Sequence, residues 1–296
     1  MQKDLSAYQR LCKSHSKLLK VFMAQDILRK LAQVAAQSKR RVGIGVGNET
    51  PELLRAVEKA RRFSEVVLVG NAENAGGDVV RASKPEQKLV EMLTSGTIDA
   101  AVRGTISARE TLKQLKYQTG SRKMCRSALL STADGQQFFL LPVGIDEGTS
   151  TRDRNRLAVK TAQLLSTLGV TPMVGVLSGG RSEDRGRRKA VDLTLKSAEA
   201  LTKQLQCVGI DAINYNILIE DAVKSSNILV APDGVVGNLI FRTLVFLGGG
   251  KGHGAPFFGI QYTFVDTSRS TAAFEDAIVV ARALSNLAQG KRISGS

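Results

Sequence analysis

Residue types that support several common functions are scarce in this chain of 296 residues. It has no tryptophan and only four tyrosines, which weakens the prediction of single-stranded nucleic-acid binding, because such binding uses aromatic side chains for base stacking. Cys12, Cys125 and Cys207 are scattered without a Cys-x-x-Cys pair, which predicts free thiols rather than a disulfide framework. Because His15 and His253 are the only histidines, we expect no structural zinc site and assign no metal ligands.

Long apolar runs are also missing, and no stretch reaches the length of a membrane span. The basic N-terminus lacks the continuous apolar segment and the small-residue cleavage site of a secretory signal. We therefore expect a cytoplasmic protein with no membrane partner. Residues 1–22 are polar and basic and precede a second methionine, Met23, so we expect them to be dispensable for folding.

Basic residues, in contrast, are abundant. The 42 lysines and arginines exceed the 27 acidic residues and give a net charge of +15. Such a charge favours anionic partners, which include phosphates, coenzyme A and nucleic acid. Since the basic residues do not alternate with aromatic ones, we rank nucleic acid last and expect a small anionic substrate.

Apolar patterning indicates an α/β protein, because short buried strands alternate with amphipathic helices. The predicted strands are 41–46, 66–69, 98–102, 172–177 and 227–231. One predicted helix starts after Thr50, and the others cover 87–94, 107–115, 154–168, 189–205 and a C-terminal segment that stops at Gly290. A β-hairpin around Asp134-Gly135 interrupts this alternation, so we place a domain boundary near residue 122.

Glycines near the first strand do not form a dinucleotide fingerprint. Gly43, Gly45 and Gly47 make a G-x-G-x-G pattern, whereas the fingerprint requires G-x-G-x-x-G and a later acidic residue. We interpret these glycines as positions of close packing and expect no tightly bound cofactor.

The stretch from residue 227 to 269 contains the densest set of candidate site residues. Asp233 and Asn238 follow one strand, and Asp266, Ser268 and Arg269 follow a second, predicted to run from 257 to 265. In α/β sheets, ligands bind where strands end and helices begin, so this arrangement predicts a cleft for an anionic ligand. Between the two strands we expect a helical face of Leu239, Ile240, Leu244 and Leu247, and then a flexible glycine run over 248–254.

Two further turns could contribute to an anion site. Arg103-Gly104 ends the strand 98–102 and opens a helix, and a cation beside helix amides can hold an anion. Arg103 could equally be a surface residue beside a turn glycine. Ser178 begins a run of small residues that could bind phosphate through its amides or form a solvated loop.

These motifs resemble those of the phosphate acetyl/butyryltransferases. Residues 233–238 (DGVVGN) are similar to a strand-end signature of that family, and residues 266–269 (DTSR) resemble its Asp-x-Ser-Arg motif. Residues 42–71 and 98–105 are similar to its first strand–helix–strand unit and to a later strand and turn. In detail the chain is most similar to the methanogen branch called methanogenesis marker 4, the methyltransferase-related subunit X proteins. The sequence departs from the acyltransferase pattern at 262–265 (YTFV), where a basic residue is missing, and at 106–109 (ISAR).

The resemblance implies two α/β lobes of the isopropylmalate dehydrogenase-like, three-layer type with a cleft between them. Residues 1–121 and 257–296 would form the first lobe, and residues 122–256 would form the second, through which the chain would make a homodimer. It also implies acyl transfer between a coenzyme A thioester and phosphate, which are the expected substrates. The alternative is an anion-binding subunit of a methyltransferase system that has lost this activity.

Roles for individual residues follow from the same resemblance. Ser268, Asp266 and Asp276 would be catalytic, with Glu275 as the rival of Asp276 because adjacent helical positions point about 100° apart. The substrate would be bound by a second group of residues. This group comprises Arg269, Arg103, Gly104, Asp233, Asn238 and Ser178.

Overall fold

We describe the protein from a computed structural model, which covers residues 26–73, 76–121, 123–268 and 273–293. The expectations for residues 1–22 and for Arg269 lie outside the described residues. In the described part of the chain, no helix combines the length and apolar character needed to cross a membrane.

Twelve strands in the described part of the chain form one mixed sheet. They are β1 (Arg41–Val46), β2 (Glu65–Gly70), β3 (Val79–Val80), β4 (Ala100–Val102), β5 (Cys125–Arg126), β6 (Ala128–Ser131), β7 (Gln137–Leu141), β8 (Met173–Leu177), β9 (Asp211–Asn216), β10 (Ile228–Val230), β11 (Lys251–Phe258) and β12 (Thr263–Asp266). Their order in the sheet is β3-β2-β1-β4-β12-β11-β6-β7-β10-β8-β9, and β5 pairs with β11 outside this path.

Helices cover both faces of the sheet. They are α1 (Ile27–Ala36), α2 (Pro51–Arg61), α3 (Pro85–Thr94), α4 (Ala108–Thr119), α5 (Thr151–Thr167), α6 (Lys189–Cys207), α7 (Ile219–Ser225), α8 (Gly234–Phe246) and α9 (Phe274–Ile293), with a 3₁₀ turn at Ser182–Asp184. The α/β class predicted from the sequence is therefore confirmed.

The sheet has two parallel halves that meet at antiparallel central strands. β3, β2, β1, β4 and β12 run parallel to one another, and so do β7, β10, β8 and β9. Between these halves, β11 is antiparallel to both β12 and β6, and β6 is antiparallel to β7. One continuous sheet thus joins the two α/β lobes.

The two faces of the sheet are covered differently. On one face, a single large core contains buried side chains of α1, α2, α5, α6 and α9. On the other face, α3 and α4 cover the first half, and α7 and α8 cover the second half, in two separate cores. The central strands lie between these separate cores, and this is where a cleft opens.

Several elements match the sequence prediction closely. β1 has the predicted bounds, and the Thr50 side chain caps α2 by accepting from the Leu53 amide at 3.2 Å. The predicted hairpin exists as β6 and β7, which pair from Ala128–Leu140 to Ser131–Gln137. Gly45 packs as expected, since a Cβ there would lie 2.6 Å from the Arg103 carbonyl oxygen.

Other predictions about the stretch 227–269 were wrong. The glycine run is not a flexible loop, because residues from Lys251 onward form β11, which is paired on both sides. The predicted strand 257–265 is the end of β11, a turn and the separate strand β12. Helix α8 starts at Gly234 and not at Gly237-Asn238, where the sequence predicts its opening, because the Asp233 carboxylate accepts from the Val236 amide at 2.9 Å.

Two helical details also differ. Leu239 and Leu247 were predicted to be on a buried face, but their side chains are 60% and 84% exposed. The C-terminal helix does not stop at Gly290 and continues to Ile293.

Candidate functional site

A cavity of about 360 Å³ opens over the central strands, between α4 and α8. Its floor is formed by β6, β11 and β12, and its sides include Ala108 of α4 and Phe241 of α8. Ligand cavities in proteins typically measure about 300–1,000 Å³, so a small molecule fits here. We call this space the central cavity.

The lining combines charged and apolar groups. Arg103, Arg126, Arg242 and Asp266 supply the charges, and Asn238 and Ser268 supply further polar groups. The remaining side chains are mainly small or apolar. They include Leu129, Leu130, Val143, Phe241 and Ala255.

Four of the charged residues in this region form a network, which we call the central ion-pair cluster: Arg103, Arg126, Glu147 and Asp266. Asp266 Oδ1 accepts from Arg103 Nε, and its Oδ2 accepts from Arg126 Nη1 at 2.6 Å. Glu147 Oε1 accepts from Arg126 Nε at 2.7 Å. The two arginines of the cluster are therefore matched by two carboxylates.

The fold places these groups next to one another by strand pairing. Arg103 follows β4 and Asp266 ends β12, which is parallel to β4, and the Arg103 amide donates to the Val265 carbonyl at 3.0 Å. Arg126 ends β5, which is antiparallel to β11. Glu147 lies in the loop after β7, where its Oε2 accepts from the Gly144 amide at 3.2 Å.

Ionisation of the cluster follows from these contacts. Burial disfavours the charged form of Asp266, but the charges and hydrogen bonds of Arg103 and Arg126 outweigh this effect and lower its pKa. Burial likewise disfavours the charged form of Arg126, yet Asp266 and Glu147 raise its pKa above the ordinary value. Asp266 is therefore a firmly ionised partner of two arginines and a weak proton acceptor.

Comparison with known proteins gives the family. No protein-family model matches the chain. A protein of Methanosarcina acetivorans named "Putative methyltransferase mtx subunit X" is 48% identical over 260 residues, which cover 86% of this chain and 93% of that protein. The chain belongs to the mtx subunit X family.

Solved structures relate the fold of this mtx subunit X family member to phosphotransacylases. A branched-chain phosphotransacylase from Enterococcus faecalis aligns with a TM-score of 0.63 and 19% identity, covering 84% of this chain and 99% of that one. A phosphotransacetylase from Streptococcus pyogenes aligns with a TM-score of 0.63 and 16% identity, covering 88% of this chain and 97% of that one. At these identities, the likeness establishes the fold alone.

Four of the predicted site residues lie together at the central cavity. Arg103, Asn238, Asp266 and Ser268 all line it, although they come from the ends of β4 and β12 and from α8. Asn238 Nδ2 donates to the Val143 carbonyl at 3.0 Å, which fixes α8 to the loop after β7. The roles predicted for these four residues remain predictions.

Gly104 contributes through its backbone. Its φ of +63° lies in the left-handed region, and a Cβ there would lie 2.1 Å from the Gly45 carbonyl oxygen. The Gly104 carbonyl also accepts from the Thr267 hydroxyl at 3.0 Å, which ties the turn after β4 to the turn after β12. Glycine at this position thus allows Arg103 and Asp266 to approach each other.

Other predicted site residues have different surroundings. Asp233 caps α8, and the Ser178 hydroxyl donates to the Gly180 carbonyl at 2.9 Å; neither residue lines the central cavity. Arg269 lies outside the described residues.

Asp276 also does not line the cavity, and it pairs with a histidine. Asp276 Oδ2 lies 2.6 Å from His253 Nδ1, and His253 Nε2 lies 2.9 Å from Ser131 Oγ. This chain of contacts links α9, β11 and β6. Glu275, the alternative to Asp276 as the catalytic base, pairs with Lys59 at 3.6 Å. Both candidate bases therefore have partners outside the central cavity.

Sequence reasoning missed three charged residues of the site. Arg126 belongs to a basic segment, residues 121–126, between two predicted elements. Glu147 forms an acidic pair with Asp146 that the sequence allows to bind a metal, to cap a helix or to face solvent, whereas the structure buries Glu147. Arg242 follows Asn238 by four positions on α8, so helical spacing could have placed it beside Asn238. In the described part of the chain, no group of three or more His, Cys, Asp or Glu side chains could hold a metal ion.

Proposed function

We propose that this protein binds a small anionic ligand with an apolar part in the central cavity, as a subunit of a methyltransferase system. The observation that supports this most directly is the described part of the lining, in which three arginines and one carboxylate stand beside an apolar wall. Guanidinium groups in a partly enclosed site favour phosphate or carboxylate groups, because they can donate two parallel hydrogen bonds. The link to methyl transfer comes from the name of the M. acetivorans relative.

Phosphate and the reactive end of a coenzyme A thioester are the ligands that we propose first. A cavity of about 360 Å³ accommodates a phosphoryl or short acyl group, and a longer coenzyme would extend out of it. The protein would need no tightly bound cofactor for this function.

Acyl transfer between a thioester and phosphate is the second candidate function. Its support is the phosphotransacylase-like fold together with Ser268 in the lining. The reaction needs a proton acceptor beside the thiol. Asp266 is paired with two arginines and Asp276 with His253, so in the described part of the cavity the residues present favour binding over turnover.

Calorimetry and a turnover assay separate these candidates. Purified protein is titrated with inorganic phosphate, acetyl phosphate and coenzyme A, and is then assayed with acetyl- or butyryl-coenzyme A plus phosphate. We expect binding of at least one of these anions and no turnover. Turnover would establish the acyltransferase instead, and the absence of binding by every anion would reject the proposed function.

A further inference from the structure

The charges that line the central cavity are not equally available to a ligand. Arg103 and Arg126 are engaged by Asp266 and Glu147 in the central ion-pair cluster. Arg103 also donates from Nη1 to the Ile106 carbonyl at 2.9 Å and is only 5% exposed. A ligand anion at either arginine would have to compete with a carboxylate that is already bound.

Arg242 is the exception among the described residues of this lining. It is exposed, and none of the ion pairs found among the described residues includes it. Its guanidinium carbon lies 5.1 Å from the centre of the Phe246 ring. This contact with the ring is a cation–π interaction, which does not use up the N–H donors of the guanidinium, so they remain able to bind an anion.

The surroundings of Arg242 fix its position relative to the cavity. It lies one helical turn after Asn238, which is hydrogen-bonded to the Val143 carbonyl. Phe241, the residue before it, lines the cavity and lies against the small residue Gly252 of β11, where an added Cβ would lie 3.2 Å from the Phe241 ring. A charged group at Arg242 would therefore be continuous with an apolar surface.

We propose that Arg242 is the residue that binds the anionic group of the ligand, that this group is a phosphoryl group, and that the apolar remainder of the ligand packs against Phe241. The inference rests on the proposed function, since it assigns the anion subsite of the same cavity. It also changes the assignment made from the sequence, where Arg269 and Arg103 were the arginines expected to bind phosphate. Arg103 and Arg126 instead hold Asp266 in place, and their charges contribute to a positive electrostatic potential in the cavity.

Calorimetric titration with inorganic phosphate and acetyl phosphate tests this assignment in three variants. Arg242→Gln should weaken the binding of both by about tenfold to a hundredfold, because it removes a charge-assisted contact. Arg242→Lys keeps the charge but not the planar fork, so we expect an intermediate loss. Arg152→Gln, which removes an exposed arginine of α5 outside the cavity lining, should bind like the wild type.

The outcomes distinguish this inference from the proposed function. If the wild type binds phosphate and Arg242→Gln binds it equally well, the assignment to Arg242 is wrong while the proposed function stands. If the wild type binds neither phosphate nor acetyl phosphate, the phosphoryl subsite is rejected, and coenzyme A binding alone would then support the proposed function. Circular dichroism of each variant checks that the fold is retained.

Discussion

At the scale of single residues, Asp266 is the group on which the cavity depends most. Its two carboxylate oxygens are shared between Arg103 and Arg126, and its Oδ1 also accepts from the Thr267 amide at 2.9 Å. Removing this charge would leave two largely buried guanidinium groups with Glu147 as their remaining carboxylate. An uncompensated buried charge is far more costly than the loss of an exposed ion pair.

Asp266→Asn should therefore lower the free energy of unfolding at neutral pH by about 3–5 kcal/mol. Urea denaturation measures this change. The matched control is Asp221→Asn, which breaks an exposed pair with Lys224 and should cost no more than about 1 kcal/mol. Equal losses of unfolding free energy in the two variants would show that the central ion-pair cluster stabilises the protein no more than an exposed ion pair does.

The same variant has a defined pH dependence. Because the pKa of Asp266 is lower in the folded protein than in the unfolded chain, its contribution is fully present above the unfolded value of about 4. The contribution is lost as the pH falls through the lowered folded-state pKa. The stability difference between wild type and Asp266→Asn should thus shrink below about pH 4, and a difference that grows there would contradict the ion-pair account.

At the scale of secondary structure, α8 is positioned by two glycines that allow the loop after β7 to touch it. A Cβ at Gly234 would lie 1.6 Å from the Gly144 carbonyl oxygen, and a Cβ at Gly237 would lie 1.9 Å from the Pro142 carbonyl oxygen. Both contacts involve backbone atoms, which cannot move aside like the end of a side chain. The close approach brings Asn238 to Val143 and places Arg242 at the cavity.

Gly237→Ala should accordingly destabilise the protein by about 1–3 kcal/mol and should weaken anion binding, since α8 must shift away from the loop. Thermal denaturation and calorimetry measure the two effects. Thr243→Ala, at an exposed position of the same helix, is the control and should leave both unchanged. A Gly237→Ala protein with normal stability would mean that the loop and α8 do not pack as described.

Elements of this size also show what the sequence could and could not predict. β1, α2 and the β6–β7 hairpin were predictable because apolar period, caps and turn residues all agree locally. β11 was not, since its glycines have weak strand propensity and it is stabilised by β6 and β12 on its two sides. In the same way, family motifs pointed to Arg103 and Ser268, whereas Arg126 and Glu147 gain their partners only when β5, β12 and the loop after β7 meet.

At the scale of the whole molecule, an apolar surface on α8 supports the homodimer that we propose for the second lobe. Val235, Leu239 and Phe246 share one outer face of this helix and are 50%, 60% and 37% exposed. Exposed apolar groups along one helix face can pack against the same face of α8 in a second copy of the chain.

Sedimentation velocity tests the dimer. The wild type should sediment as a dimer of about twice 31.8 kDa, and Leu239→Glu should shift it to the monomer because it places a charge on the apolar face. Tyr117→Glu, at an 83% exposed position of α4 in the other half of the molecule, should remain dimeric. A monomeric wild type would remove the dimer proposal without affecting the cavity.

The account depends most on the claim that the central cavity is where an anion binds, and a crystal structure of the protein grown with acetyl phosphate tests this most directly. We predict phosphoryl density within hydrogen-bonding distance of Arg242, with the acetyl group toward Phe241 and with Asp266 still bound to Arg103 and Arg126. Phosphoryl density at another surface together with an empty cavity, at a concentration that saturates binding in solution, would contradict the account.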